Sequence, residues 1–132
     1  MTTCYLDTSA LVKLAVREAH SDSLRELTRT LDVLATSALA RTELRRAVTR
    51  FGATARTAAE GLLEEVHLVP LTDPLLDQAG ALRVPEVPFL RSLDAIHLVS
   101  ARLLPDVEVV TYDERMADAA RAVGLAVVTP RD

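Results

Sequence analysis

A single cysteine, Cys4, and no tryptophan occur among 132 residues. One thiol excludes an internal disulfide and any cysteine-rich zinc site. Within an apolar segment, Cys4 reads as a small buried hydrophobe. The aromatic side chains are confined to Tyr5, Phe51, Phe89 and Tyr112, too few for a platform that stacks several bases. Any nucleic-acid contact is therefore expected to rely on phosphates. No apolar run reaches the roughly 18 residues that a membrane helix needs. The opening Met-Thr-Thr-Cys-Tyr has no basic segment followed by an apolar one, so no secretory signal is expected and the expected compartment is the cytoplasm. Lysine is nearly missing, Lys13 being the only one among 15 basic residues. No glycine-rich phosphate loop is present.

What remains fits one domain spanning residues 1–132, with 49% apolar and 26% charged residues and enough chain to bury a core. Its net charge of −4 runs against the basic surface usual in nucleic-acid binding. If four of the acids bind two divalent cations, the formal charge returns to zero.

The apolar pattern alternates strands and helices. It predicts strands at residues 3–6, 33–36, 66–71, 107–112 and 125–128. Helices are predicted at 9–17, 21–31, 37–51, 54–65, 73–82, 92–103 and 114–123, the last stopped by Gly124. Residues 84–88 read as a loop, and Ser37 and Ser92 read as helix caps. Continuous rather than alternating apolar strands separated by helices indicate α/β architecture: three layers, with a central parallel sheet flanked by helices.

Ligands of such sheets bind beyond the carboxyl ends of the strands. The first strand runs into Asp7 and the fourth into Asp113. Glu43 flanks the apolar stripe of its helix, and Asp94 occupies the first turn of a helix that is apolar on most sides. Taken singly, each acid has an ordinary explanation as a cap, a dipole partner or a surface pair of Arg46 or Arg50. Jointly they point elsewhere, because Ser9, Ser37 and Ser92 already offer caps. Four converging carboxylates without a lysine would also repel unless cations intervened. Oxygen-only ligands suit magnesium or manganese.

The segments Leu6-Asp7-Thr8-Ser9-Ala10-Leu11, Ser37-Ala38-Leu39-Ala40-Arg41-Thr42-Glu43, Ser92-Leu93-Asp94-Ala95-Ile96-His97 and Val110-Thr111-Tyr112-Asp113-Glu114-Arg115 resemble, in order, the motifs of PIN-domain ribonucleases, particularly VapC-type toxins. The resemblance covers essentially the whole chain. It implies an endoribonuclease toxin whose acidic cluster binds magnesium or manganese, which acts as a homodimer and is held inactive by a cognate antitoxin. Asp7, Glu43, Asp94 and Asp113 match the family's catalytic, metal-binding acids, and Ser9 and Thr111 match hydroxyl positions that orient them. Where some relatives carry a further acid or amide, this chain has Met116-Ala117, and Asp118 reads as a solvated helix residue.

Arg91 and Arg115 border the acidic motifs and are candidates for positioning RNA phosphates. Arg41, Arg45, Arg46 and Arg50 read equally as an RNA or antitoxin contact and as a solvated helix face. His97 lies one turn after Asp94. A lone histidine on a buried helix is more often a satisfied core residue, the preferred reading, than a contact to phosphate or a site carboxylate. His20 and His67 show no metal-ligand spacing. In the expected reaction one or two cations polarise the scissile phosphate and activate a water for in-line attack, leaving 5′-phosphate and 3′-hydroxyl ends. The alternatives are an inactive PIN-like binding module and an aspartate-based phosphotransfer domain. The latter fits poorly, since Ser9 stands where a dehalogenase-like site needs a second aspartate and no lysine follows a late strand.

Overall fold

The structure, a computed structural model, describes residues 2–31 and 33–132. Five strands, β1 (Thr3–Leu6), β2 (Val33–Ser37), β3 (His67–Val69), β4 (Val107–Val110) and β5 (Ala126–Val128), alternate with α1 (Thr8–Ala15), α2 (Ser21–Arg29), α3 (Ala40–Val48), α4 (Ala53–Glu65), α5 (Asp73–Ala81), α6 (Ser92–Arg102) and α7 (Glu114–Ala122). All pairings are parallel, in the order β3-β2-β1-β4-β5. The order reverses between β1 and β4, so their carboxyl ends border the crevice where parallel sheets bind ligands.

Side chains of β1 point alternately to opposite faces of the sheet. Cys4 and Leu6 join Leu11, Leu24, Leu44 and Val48 beneath α1 to α4. Tyr5 joins Leu98, Val109 and Met116 beneath α6 and α7. A third cluster, with Val69, Leu75 and Val99, packs α5 against α6. Leu11, Leu24 and Leu44 are completely buried, and each such side chain contributes about 1.5–3 kcal/mol through removal from water. Burial also pushes the Cys4 thiol up to about 12, with a smaller push from Glu108, and the cysteine is inert packing.

Several ends differ from the sequence expectation. The third helix begins at Ala40 instead of Ser37 and finishes in a 3-10 turn, Thr49–Phe51. Ser37 extends β2 opposite Val69, and its buried hydroxyl accepts from the Leu39 N–H at 3.1 Å, making a turn and not a cap of α3. β3 is shorter than residues 66–71: the Val66 N–H closes α4 on the Leu62 carbonyl, and Pro70 has no N–H to extend the ladder. Ser92 is the first residue of α6, and its N-cap is Arg91, with no side-chain cap. Gly124 does end α7: at φ 87° it lets its own N–H reach Arg121 and that of Leu125 reach Ala120, the paired bonds of a Schellman closure.

Candidate active site

Asp7 leaves β1 in extended conformation and caps α1, its Oδ1 accepting the Ala10 N–H at 3.1 Å. Asp113 likewise caps α7, its Oδ1 accepting from the N–H groups of Arg115 at 2.9 Å and Met116 at 3.3 Å. The expectation that Ser9 supplies the cap of the first helix is therefore corrected, since Asp7 holds that position. An acid at the end of a parallel strand is also at the start of the next helix, so capping and site placement coincide.

Ser9 donates to Asp7 Oδ1 at 2.6 Å, and the Thr111 hydroxyl donates to Asp7 Oδ2. The same hydroxyls tie down the neighbouring loop, Ser9 accepting the Tyr112 N–H at 3.0 Å and Thr111 the Asp113 N–H at 3.1 Å. Asp7 is only 6% exposed. Burial raises its pKa despite the hydrogen bonds from Ser9, Thr111 and Ala10, which work to lower it.

Glu43, on the first turn of α3, is held at one oxygen: Thr8 donates to Oε1 at 2.9 Å, and His97 Nε2 lies 2.8 Å from the same atom. Burial works to raise the Glu43 pKa, but the bonds from His97 and Thr8 outweigh it and the carboxyl sits below its ordinary range. Asp94 and Asp113 share Arg91, whose Nε meets Asp94 Oδ2 at 2.9 Å and whose Nη2 meets Asp113 Oδ2 at 3.0 Å. The acids were expected to lack a lysine to neutralise them, and among the described residues two of the four, Asp94 and Asp113, are instead paired with Arg91. Arg115 is exposed, and Asp118 is exposed and paired with Arg121 at 3.7 Å.

The contacts close into a ring. Glu43 meets Thr8, the neighbour of Asp7; Asp7 meets Thr111, which holds Asp113; Asp113 meets Arg91, which holds Asp94; and His97, one turn along from Asp94, returns to Glu43. Within it the carboxylates face hydroxyls, His97 and Arg91. Among the described residues, no three His, Cys, Asp or Glu side chains form a group that could hold a metal ion. The donor chemistry nonetheless fits a hard divalent cation, being carboxylate oxygen throughout, with a buried Asp7 that, among the described residues, has no cationic partner within hydrogen-bonding reach. A cavity of about 640 Å³ lies elsewhere, between α5, α6 and the loop through Val84 and Val87.

Sequence reasoning missed Tyr5, Thr8 and the pairing of Arg91. Arg91 carried a signal, three residues before Asp94. So did Tyr5, since a phenol in a buried strand needs a polar partner.

The PIN domain family matches residues 4–122. The chain is similar to ribonuclease VapC46 of Mycobacterium tuberculosis, 48% identical over 98% of this chain and 99% of that one. It is also 39% identical to ribonuclease VapC47 of the same species, over 96% of each. Among solved structures, M. tuberculosis VapC20, described as a toxin cleaving the sarcin-ricin loop, superposes with a TM-score of 0.77 at 22% identity, over 96% of this chain and 99% of that one. VapBC2 of Rickettsia felis, bound to a DNA fragment from its promoter, gives 0.73 at 17% identity, over 98% and 99%. With its acids set at the carboxyl edge of a five-stranded parallel sheet, the chain belongs to the PIN domain family and, within it, to the VapC ribonucleases.

Proposed function

We propose that the chain is a toxin of a toxin–antitoxin pair: a divalent-metal-dependent endoribonuclease that works as one domain in the cytoplasm and is restrained by a cognate antitoxin. The observation that carries the reading is the run of hydrogen bonds and ion pairs that links Asp7, Glu43, Asp94 and Asp113 through Thr8, Thr111, Arg91 and His97 beside the β1/β4 crevice. Asp7, Asp94, Glu43 and Asp113 are the residues that would hold magnesium or manganese. When bound, the ion supplies Lewis-acid stabilisation of charge on the phosphate and helps activate water.

The protein's own groups do the positioning. Ser9 and Thr111 fix both oxygens of Asp7. Arg91 is 61% exposed, and exposed pairs hold by only about 0–1 kcal/mol, so its guanidinium can leave Asp94 and Asp113 once they are otherwise neutralised and turn to an RNA phosphate. Arg115, on the first turn of α7, is placed to assist. Among the described residues no helix is long and apolar enough to cross a membrane. A homodimer is part of the reading by likeness to the family, and Phe89, 78% exposed, Leu93 and Leu76 are exposed apolar side chains available to an interface.

The test is cleavage of RNA by purified protein with magnesium, with manganese and with excess chelator, followed by sequencing of the RNA ends. Metal-dependent 5′-phosphate and 3′-hydroxyl ends are expected, absent from Asp7→Asn. Full cleavage in chelator sinks the metal reading. Expression is expected to arrest growth until a neighbouring small protein is co-expressed; a harmless wild type that still cleaves RNA points to a housekeeping nuclease.

A further inference from the structure

His97 is 3% exposed and lies between two polar partners. Tyr5, completely buried on β1, places its phenol oxygen 2.6 Å from Nδ1, and on the other side of the ring Nε2 stands 2.8 Å from Glu43 Oε1. The two rings meet edge to face at 5.8 Å, which fixes the imidazole plane.

Hydrogen-bond accounting gives the chain a direction. Among the described residues the phenol has one hydrogen-bond partner, Nδ1, and a buried O–H needs an acceptor. Thr36 and Ser100 give their own hydrogens to the Leu6 carbonyl at 2.6 Å and the Ile96 carbonyl at 2.7 Å and so cannot donate to the phenol, and the Glu43 carboxylate, held below its ordinary range, can only accept from Nε2. With Nδ1 accepting, the ring hydrogen sits on Nε2 and points at the carboxylate. Thr8 donates to the same Glu43 oxygen. Both donors thus converge on Oε1, and Oε2 has no hydrogen-bond donor among the described residues.

We propose that Tyr5 and His97 are positioning residues that fix Glu43 by one oxygen and keep Oε2 available to the divalent cation. This rests on the reading that Glu43 helps to hold that cation. A histidine serving the core alone needs a buried acceptor; this one reaches the edge of the core and ends on a partly exposed acid. Partners that orient a metal-binding side chain typically control affinity by about 10–100-fold.

The test uses wild type, Tyr5→Phe, His97→Gln, His97→Ala and Glu43→Gln. Two-bond nitrogen–proton NMR of the metal-free protein reports the His97 tautomer, and calorimetry reports Mn²⁺ affinity. Wild type is expected to carry hydrogen on Nε2 and none on Nδ1, and Tyr5→Phe a mixture of tautomers, because the donor to Nδ1 is gone. Affinity is expected to fall a few-fold in Tyr5→Phe and about 10–100-fold in His97→Ala, with His97→Gln recovering most of it because its amide N–H can replace Nε2–H. Should His97→Ala fail to fold, Tyr5→Phe and His97→Gln still decide the matter, since each keeps most of the buried volume. A wild-type ring protonated at Nδ1 overturns the relay. So does wild-type affinity in Tyr5→Phe, His97→Gln and His97→Ala alongside a loss in Glu43→Gln, and that result leaves the metal reading intact. Unchanged affinity in Glu43→Gln instead removes Glu43 from the metal site, and the proposal with it.

Discussion

Asp7 and Glu43 are held by groups that cannot leave, whereas Asp94 and Asp113 share one exposed arginine. On the inner side the donors are hydroxyls of Ser9, Thr111 and Thr8, the Ala10 N–H and the buried His97. On the outer side Arg91, 61% exposed, spans both acids. Neutral dipoles fixed by the backbone keep a carboxylate in place without cancelling its charge, so the inner acids keep their demand for a cation. A guanidinium on a long, solvated side chain balances charge and yields to a better competitor. The inner side supplies geometry and the outer side supplies exchange.

Asp7→Asn tests the inner side most severely. It is expected to lower RNA cleavage on the order of a thousandfold, the equivalent of several kcal/mol of electrostatic stabilisation. Its melting temperature in metal-free buffer at pH 7 should stay at or above wild type, because burial disfavours the charge that the substitution removes. A sharp fall in melting temperature would make Asp7 a structural cap alone. Thr111→Val keeps the shape and deletes the hydroxyl that serves Asp7 Oδ2 and the Asp113 N–H. A loss of about 1–3 kcal/mol is expected in denaturant titration; an unchanged midpoint would mean that these bonds are replaced by water.

The pH dependence separates Asp7 from Glu43 within the inner side. Folding raises the Asp7 pKa above its ordinary 3.8, so the folded chain holds that proton more tightly. Its contribution to metal-free stability is present at low pH and is lost as pH rises through the folded value. Glu43 has the opposite sign: its contribution is present above the ordinary 4.5 and is lost as pH falls through the lowered folded value. Because a cation needs Asp7 ionised, Mn²⁺ affinity should fall about tenfold per pH unit below the folded Asp7 pKa. Calorimetry in two buffers of different ionisation enthalpy should show proton release there. A flat affinity would exclude Asp7 as a ligand.

The smallest effect belongs to the outer side. Arg91→Ala removes a competitor for Asp94 and Asp113, and metal should bind about two- to fivefold more tightly, the range of an exposed ion pair. The same variant should raise the KM for RNA through the lost phosphate contact. Weaker metal binding would show that Arg91 supports the acids instead of competing for them.

Much of this comparison was legible before any tertiary contact was known. The runs Cys4-Tyr5-Leu6 and Val107-Glu108-Val109-Val110 mark strands, and the acids after them lie at strand ends by simple succession. Helix starts were less legible. Ser37 and Ser92 look like caps in sequence, yet capping needs an extended residue at the right place, and neither serine occupies the cap position of its helix. His97 was read as a satisfied core residue. It is buried and fully bonded, but one bond ends on Glu43, 54 positions away, and no local periodicity carries that information.

The sequence by itself determined the alternation of strands and helices, the four acidic motifs and the oxygen-only character of their donors, because apolar periodicity and residue chemistry are local properties. Only the tertiary structure decided that β4 lies beside β1, bringing Thr111 to Asp7 across 104 positions. It also decided that Tyr5 faces α6 and that Arg91 spans two acids. Strand order and the partner of a buried polar group are settled by closing the whole chain around one sheet, where each donor takes the acceptor that packing leaves within reach.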